Sequence, residues 1–310
     1  MDVRQLRYFV AVAQERNFTR AAERLHIAQP PLSRQIQGLE DELGVMLIDR
    51  SERPLKLTEA GRFFYEQALQ MIGRMDQIRN TTRQLGRSGR SLFVVGCVAS
   101  TLYGGMPDLA RRMRRLWPDM EIELKEMSST QQVAALKEGR IDLGFGRVRV
   151  TDPAIERITL REERLVLALP LDHPKLAHKG PLPLATLEDE MLVLYPSEPR
   201  PSFADEVLVL LGDRNVRPRA IREVRELQMA LGLVAADDGV TIVPASAQRL
   251  RSYDVAYRHF DDPKLVSPII MSYRANDASG RIEAIKQLIR EMYADQPDWL
   301  KLSENRLLPP

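Results

Sequence analysis

The sequence predicts an α plus α/β chain: an N-terminal winged helix-turn-helix, a long linker helix, and a C-terminal domain of two α/β lobes. Three observations carry this expectation. Two adjacent prolines, Pro30 and Pro31, stand inside the helix-like stretch from Thr19 to Gly44. A mostly apolar row, spaced alternately four and three residues apart, runs from Phe64 to Leu85. From Ser91 onward, strand-like and helix-like segments alternate.

The 310 residues are 44% hydrophobic and 28% charged, a globular composition at a length that suits two or three domains. Cys97 is the one cysteine, which excludes an intramolecular disulfide and fits a reducing cytosol. The opening MDVRQLRYFVAVAQERN has neither a basic head before an unbroken apolar run nor a small-residue cleavage site, and the longest apolar runs are strand-length. A cytoplasmic protein with no membrane segment is expected. The formal net charge is +2, yet residues 1–90 hold 15 Lys and Arg against 11 Asp and Glu, and 14 of those cations are arginine. A solvated surface accounts for so small an excess, while the arginine bias suits phosphate contact.

Leu6, Phe9, Val10 and Ala13 lie on one face of a first helix, which Arg16-Asn17 breaks. A second helix starts near Thr19 with Ala21, Ala22 and Leu25 inward. Leu32, Ile36, Leu39 and Leu43 mark a third, which Gly44 stops. Proline has no backbone N–H and breaks a helix interior, but costs little in a first turn, where the N–H groups have no intrahelical partner. The prolines therefore open the third helix, after a tight turn from His26 to Gln29. Two helices joined this way form a helix-turn-helix, whose second helix lays its first residues on base edges in the major groove. Those residues are Gln29, Pro30, Ser33 and Arg34: Gln suits adenine, Arg guanine, and the proline rings thymine methyls. An ordinary helical hairpin would show the same Ala and Leu spacing. The next segment favours the DNA reading, because MLIDRSERPLKLT (46–58) reads as a β-hairpin wing with Arg50, Arg53 and Lys56 near its tip, suited to phosphates.

Thr58 is an N-cap with Glu59 in the first turn, and the helix it opens is expected to run to about Gln84 or Leu85. Phe64, Ala68, Met71, Met75, Ile78, Thr82 and Leu85 form a heptad seam with one polar member, Thr82. So narrow a stripe packs either on the rest of its chain or on a second copy. A second copy is expected, since a dimer also sets two reading helices on two half-sites. LGRSGRS (85–91) reads as a hinge.

Beyond it, SLFVVGCV, EIELKEM, IDLGFG, LVLALPL, MLVLYP, AIREV, GVTIVPAS and PIIMSYR read as strands. STLYGGMPDLARRMRRLW, STQQVAALKEG, FADEVLVLLGD, ELQMALGLVAA and SGRIEAIKQLIREMYA read as helices. The alternation predicts mostly parallel sheets in two lobes with a cleft between them. The domain boundaries expected are 1–58 for the DNA-binding part, 59–88 for linker helix and hinge, and 89–310 for the rest, with lobe I about 91–162 and 267–300 and lobe II about 163–266.

No catalytic pattern is present: the four histidines are scattered, no metal pair stands at helical spacing, and GxSxG, P-loop and GxGxxG motifs are missing. Cys97, in an apolar strand, reads as an inert core residue. Hydroxyl residues do mark three strand-to-helix junctions: Ser100-Thr101, Ser128-Ser129-Thr130, and Ser202 before Phe203. Each is an N-cap when taken singly. Three lining one cleft would make a site for a carboxylate or phosphate.

FTRAAERLHIAQPPLSRQIQGLEDELGV and LTEAGRFFYEQA resemble the N-terminal region of LysR-type transcriptional regulators, and the resemblance covers the whole chain. It departs at Ala28, where many members carry serine, and at Ile48, where Phe is common. Membership implies a linker-helix dimer and commonly a tetramer, a periplasmic-binding-protein-like effector domain, promoter DNA with two-fold related half-sites, RNA polymerase as a partner, and no cofactor. STLYG, QQVAALKEGRIDLGFGR, DPAIERITLREERL, LYPSEPRPSFAD, LQMALGLVAA and VPAS resemble a narrower branch, the muconate-responsive regulators of benzoate and catechol breakdown. That resemblance implies an activator whose effector is cis,cis-muconate or a related small carboxylate. It puts the effector at Ser100 and Ser129, with contacts around Pro201 and Phe203. Arg147 and Arg161 offer secondary charge, or serve as structural ion pairs with Glu162 and Glu163. The alternatives are a solute-binding or transport module, or an enzyme on the same two-lobed fold; the winged N-terminus argues against the first and the empty motif search against the second.

Overall fold

The structure is a computed structural model that describes residues 1–51, 54–88, 90–297, 300 and 306–307. The chain forms two compact units, one built on Met1–Gly89 and one on the residues from Arg90 onward.

The first unit opens with α1 (Val3–Glu15), where Asp2 and Gln5 form a reciprocal capping box, and Arg16 ends it in the left-handed region at φ 50°. Asn17 then caps α2 (Phe18–Arg24) by accepting the amides of Thr19 and Arg20. Ala21 and Ala22 are buried and let the helices approach closely. The third helix, α3 (Gln29–Leu43), carries both prolines in its first turn and ends at Gly44, φ 69°. Its N-cap, Ala28, makes no side-chain hydrogen bond. The prolines explain why none is needed. An N-cap side chain accepts the amides two and three residues on, and here those residues are Pro30 and Pro31, which have none.

Leu32, Ile36 and Leu39 are buried as expected, but Leu43 is exposed. The fourth inward position is taken instead by Glu40, whose carboxylate accepts the amides of Leu47 (2.8 Å) and Ile48 (3.0 Å) and pairs with Arg50 (2.6 Å). The wing pairs β1 (Ile48–Asp49) with β2 (Lys56–Leu57) in antiparallel register. Thr58 Oγ1 accepts the Gly61 amide and opens α4 (Glu59–Ser88), which continues through Ser88 into the stretch read as a hinge. At about 1.5 Å per residue it is roughly 45 Å long. Its first seam residues pack within this unit: Phe64 meets Phe9 edge-on at 5.1 Å, and Ala68 lies against Leu6 and Val10. Met71, Met75 and Ile78 are exposed, at 49%, 44% and 54%. The side chain of Leu85 lies outside the described residues.

In the second unit, β3 (Ser91–Cys97) lies parallel to β4 (Met120–Glu126) and to β5 (Leu143–Gly146). A 16-residue strand, β6 (Ile155–Pro170), runs through both lobes. In the second lobe β7 (Met191–Leu194) lies parallel to β8 (Ala220–Glu223) and to β9 (Val240–Pro244). The strand β10 (Val255–His259) pairs antiparallel with β6, and so do β11 (Val266–Arg274) and the short β12 (Arg306–Leu307). The sheets are therefore mixed where mostly parallel ones were expected. The first ten residues of β6 were not read as a strand, because IERITLREER is dense in charge, and β10 was not read at all. The helices are α5 (Met106–Leu116), α6 (Ser129–Lys137), α7 (Phe203–Gly212), α8 (Leu227–Ala235) and α9 (Arg281–Ala294). STLYGG is not part of α5; Ala99–Tyr103 is a separate 3-10 turn.

Up to Arg164, β6 pairs with β11, and from Leu165 it pairs with β9. The chain returns between the lobes at Leu265, whose carbonyl accepts the Leu165 amide at 2.9 Å.

The two helix starts give opposite expectations. Asn17→Ala leaves two amides uncapped and is expected to cost about 0.5–2 kcal/mol in urea unfolding. Ala28→Ser has no amide to accept and is expected to change stability by less than about 0.5 kcal/mol.

Candidate functional site

A cavity of about 490 Å³ opens in the second unit, a size that suits a small ligand. Ser100, Ser129, Arg147, Pro201 and Phe203 all line it. Arg161 does not; it lines a separate smaller pocket with Met106, Leu109 and Tyr293.

The first residues of α6, α7 and α8 all reach this cavity, through Ser128 and Ser129, Ser202 and Phe203, and Leu227 and Gln228. Three helix N-termini bring free amides and positive dipole ends to one space. Ser128 caps α6 by accepting the Gln131 amide, which frees Ser129 for another role. Ser129 Oγ accepts the backbone amides of Arg147 (3.1 Å) and Val148 (3.2 Å). Gly146 permits this approach: a Cβ there would stand 2.5 Å from Ser129 Oγ. With both lone pairs occupied, the Ser129 hydroxyl is left as a donor. Ser100 was read as a helix start, and the structure corrects that, placing it on the 3-10 turn. Its Oγ accepts from Arg147 Nε at 2.7 Å, so it too is turned into a donor. A wall of Tyr195, Pro196, Pro199, Pro201 and Phe203 closes another side, with the Tyr195 and Phe203 rings 5.4 Å apart.

Arg147 is held from behind. Its Nη2 pairs with Glu163 at 2.7 Å and its Nη1 donates to Ser267 Oγ at 3.3 Å. Arg161 Nη2 lies 3.5 Å from the same Glu163 oxygen, and the other oxygen accepts the Ser246 amide at 2.6 Å. All three charged side chains are buried. Burial alone would raise the Glu163 pKa, but Arg147 and Arg161 outweigh it and hold the carboxyl below its ordinary 4.5. Of the two readings of these arginines, the ion-pair role is the one the geometry displays. The sequence reading missed Tyr195, Gln131 and Gln228 as cavity residues. The hydroxyl in LYPSEP was the one signal available for Tyr195.

In the first unit, Gln29, Pro30 and Arg34 are exposed on α3 and Ser33 is half-buried. Arg50 is committed to Glu40, with its guanidinium 5.7 Å from the Phe18 ring centroid, so it fastens the wing to α3 instead of standing free at a tip. Arg53 lies outside the described residues. Among the described residues there is no cluster able to hold a metal, and no helix is long and apolar enough to cross a membrane.

A helix-turn-helix with a wing, joined in one chain to a two-lobed domain enclosing a ligand-sized cavity, defines a ligand-responsive DNA-binding regulator. The chain belongs to the LysR family: residues 3–62 match the bacterial regulatory helix-turn-helix of that family, and residues 86–294 match the LysR substrate binding domain. It is similar to a probable cat1 operon transcriptional activator of Acinetobacter lwoffii, 55% identical over 97% of this chain and 99% of that one. It is 44% identical to the HTH-type transcriptional regulator BenM of Acinetobacter baylyi (strain ATCC 33305 / BD413 / ADP1), over 96% of this chain and 100% of BenM. The BenM effector binding domain with its effector benzoate matches at TM-score 0.63 and 41% identity, covering 66% of this chain and 93% of that one. Full-length CbnR complexed with its target DNA matches at TM-score 0.61 and 32% identity, covering 94% and 99%. The chain is a transcription regulator and not an enzyme.

Because the folded pKa of Glu163 is depressed, its contribution is full above about pH 4.5 and is lost as pH falls through the lower folded value. Glu163→Gln is expected to cost about 3–5 kcal/mol at neutral pH, as for breaking a buried pair. Its unfolding midpoint in urea should also fall less steeply than wild type below about pH 4.5. Parallel acid slopes for the two proteins would show that Glu163 is not ionised in the fold.

Proposed function

We propose that this regulator activates genes for the breakdown of aromatic compounds, from the cytoplasm, in response to a small dicarboxylate such as cis,cis-muconate. The observation that carries the reading is the pair of hydroxyls, Ser100 and Ser129, both held as donors by Arg147 at one end of the cavity. Two directed O–H groups beside the α6 N-terminus suit one carboxylate. The starts of α7 and α8, with Pro201 and Phe203, offer amides and a flat apolar wall for the rest of an unsaturated chain and its second carboxylate. Arg147 acts on the ligand through the hydroxyls it holds, and Arg161 stands further off. The narrower family resemblance and the catabolic-operon relatives support the same effector class.

On DNA, Gln29, Pro30, Ser33 and Arg34 read base edges of a half-site, and Arg50 and Arg53 lie toward phosphates, Arg50 with the N–H groups that Glu40 leaves over. Two such half-sites related by two-fold symmetry require a dimer. Met71, Met75 and Ile78, exposed along α4, supply its surface, and a tetramer that engages RNA polymerase completes the family pattern.

Calorimetric titration of the full chain with cis,cis-muconate tests the effector. Ser100→Ala and Ser129→Ala, checked first for folding, should each weaken binding by about tenfold or more. A wild-type protein that ignores muconate but takes up a neutral aromatic would sink the dicarboxylate reading, and unchanged binding in both variants would move the site. Assembly has its own test by sedimentation. Met75→Asp and Ile78→Asp put charges where pairing must strip their water, and both should shift the protein toward smaller species. An unaltered size distribution in both would mean that α4 packs some other way.

A further inference from the structure

One polar group at the cavity has no role in the fold. Among the buried side chains of the described residues, the Tyr195 hydroxyl has no hydrogen-bond partner. Tyr195 follows β7, is 6% exposed, lines the cavity and packs its ring on Phe203. Its hydroxyl lies close enough to Arg147 and Glu163 to feel both charges, which puts it toward the end of the cavity marked by Ser100 and Ser129. Buried hydroxyls in folded proteins nearly always have partners, and an orphan needs a reason. Neither neighbouring charge supplies one: Arg147 spends its donors on Ser100, Ser267 and Glu163, and Glu163 accepts from Arg147 and the Ser246 amide.

We propose that the Tyr195 hydroxyl is a further specificity-determining donor of this cavity, giving its O–H to a carboxylate oxygen of the bound effector beside Ser100 and Ser129. The proposal rests on the reading of the cavity as a carboxylate site. Burial pushes the phenol well above its ordinary pKa of 10.0, so it stays a neutral donor throughout the working range. A carboxylate oxygen completes this donor, while a neutral or esterified ligand offers it a weaker acceptor. Tyr195 differs from the two serines in a way that can be measured. Their oxygens accept protein N–H groups, so removing them also disturbs the fold. The Tyr195 hydroxyl bonds to nothing, so removing it leaves the empty protein intact.

The test uses full-length wild type and Tyr195→Phe, with thermal unfolding of the ligand-free proteins and calorimetric titration of cis,cis-muconate, its monomethyl ester and benzoate. The expected result is an unfolding midpoint equal to or above wild type, with muconate binding weakened about tenfold or more. The loss should be smaller for the ester if the esterified end is the one that faces Tyr195, and equal to that for muconate if the ester binds the other way round. Muconate and benzoate affinities both within about twofold of wild type would overturn the proposal. A midpoint lowered in the absence of ligand would also overturn it, since the hydroxyl would then be holding the fold. If wild type binds benzoate and not muconate, the dicarboxylate reading fails while the benzoate comparison still decides Tyr195. If wild type binds no carboxylate, both fall.

Discussion

The second unit depends on one buried carboxylate. Glu163 sits one residue before β6 passes from one sheet to the other, and it touches both lobes: Arg147 after β5 on one side, the Ser246 amide after β9 on the other. Removing a carboxylate from water is expensive, and two buried arginines together with a backbone amide are what make it tolerable here. Such a cluster adds little net stability over apolar packing of equal volume. It fixes position instead. Arg147, held by Glu163, points Nε at Ser100 while its backbone meets Ser129, so the orientation of both cavity hydroxyls follows from an ion pair behind them.

The first unit uses the same device on a smaller scale. Glu40 replaces an apolar residue on the inward face of α3 and gathers two wing amides and Arg50. The wing is only two residues paired with two, too short to hold itself, so this carboxylate ties it to the reading helix. The wing and α3 therefore form a single body.

The pattern of what was legible follows from this. Helix starts were readable where local chemistry decides them: Thr58 caps α4, and the prolines open α3. The short parallel strands of each lobe were readable because they are apolar runs between turn signals. Glu40 was not, since a charged residue at an inward position reads as solvent-facing until the amides it serves are in place. The first part of β6 was hidden for a related reason, because Arg161, Glu162, Glu163 and Arg164 in a row suggest a loop, and only the fold brings Arg147 and Ser246 to them. Ser100 and Ser129 were found by their place after strands. That Ser100 lies on a 3-10 turn, and that both hydroxyls are set by an arginine from a third strand, are long-range facts with no local trace. The end of α4 was misjudged because Gly86 and Ser88 read as breakers, yet a long helix already propagating carries through them at small cost.

The chain crosses between the lobes twice, at Arg164–Leu165 and again at Leu265–Val266, and a backbone hydrogen bond from Leu165 to Leu265 holds the two crossings side by side. Two parallel tapes glued edge to edge can fold along one crease, but they resist twisting about their length and sliding past one another. The lobes are thus joined as a book is at its spine. Whatever enters between the covers can change one angle and little else, so ligands that differ in shape or charge are all reported in the same single coordinate, as more or less closed.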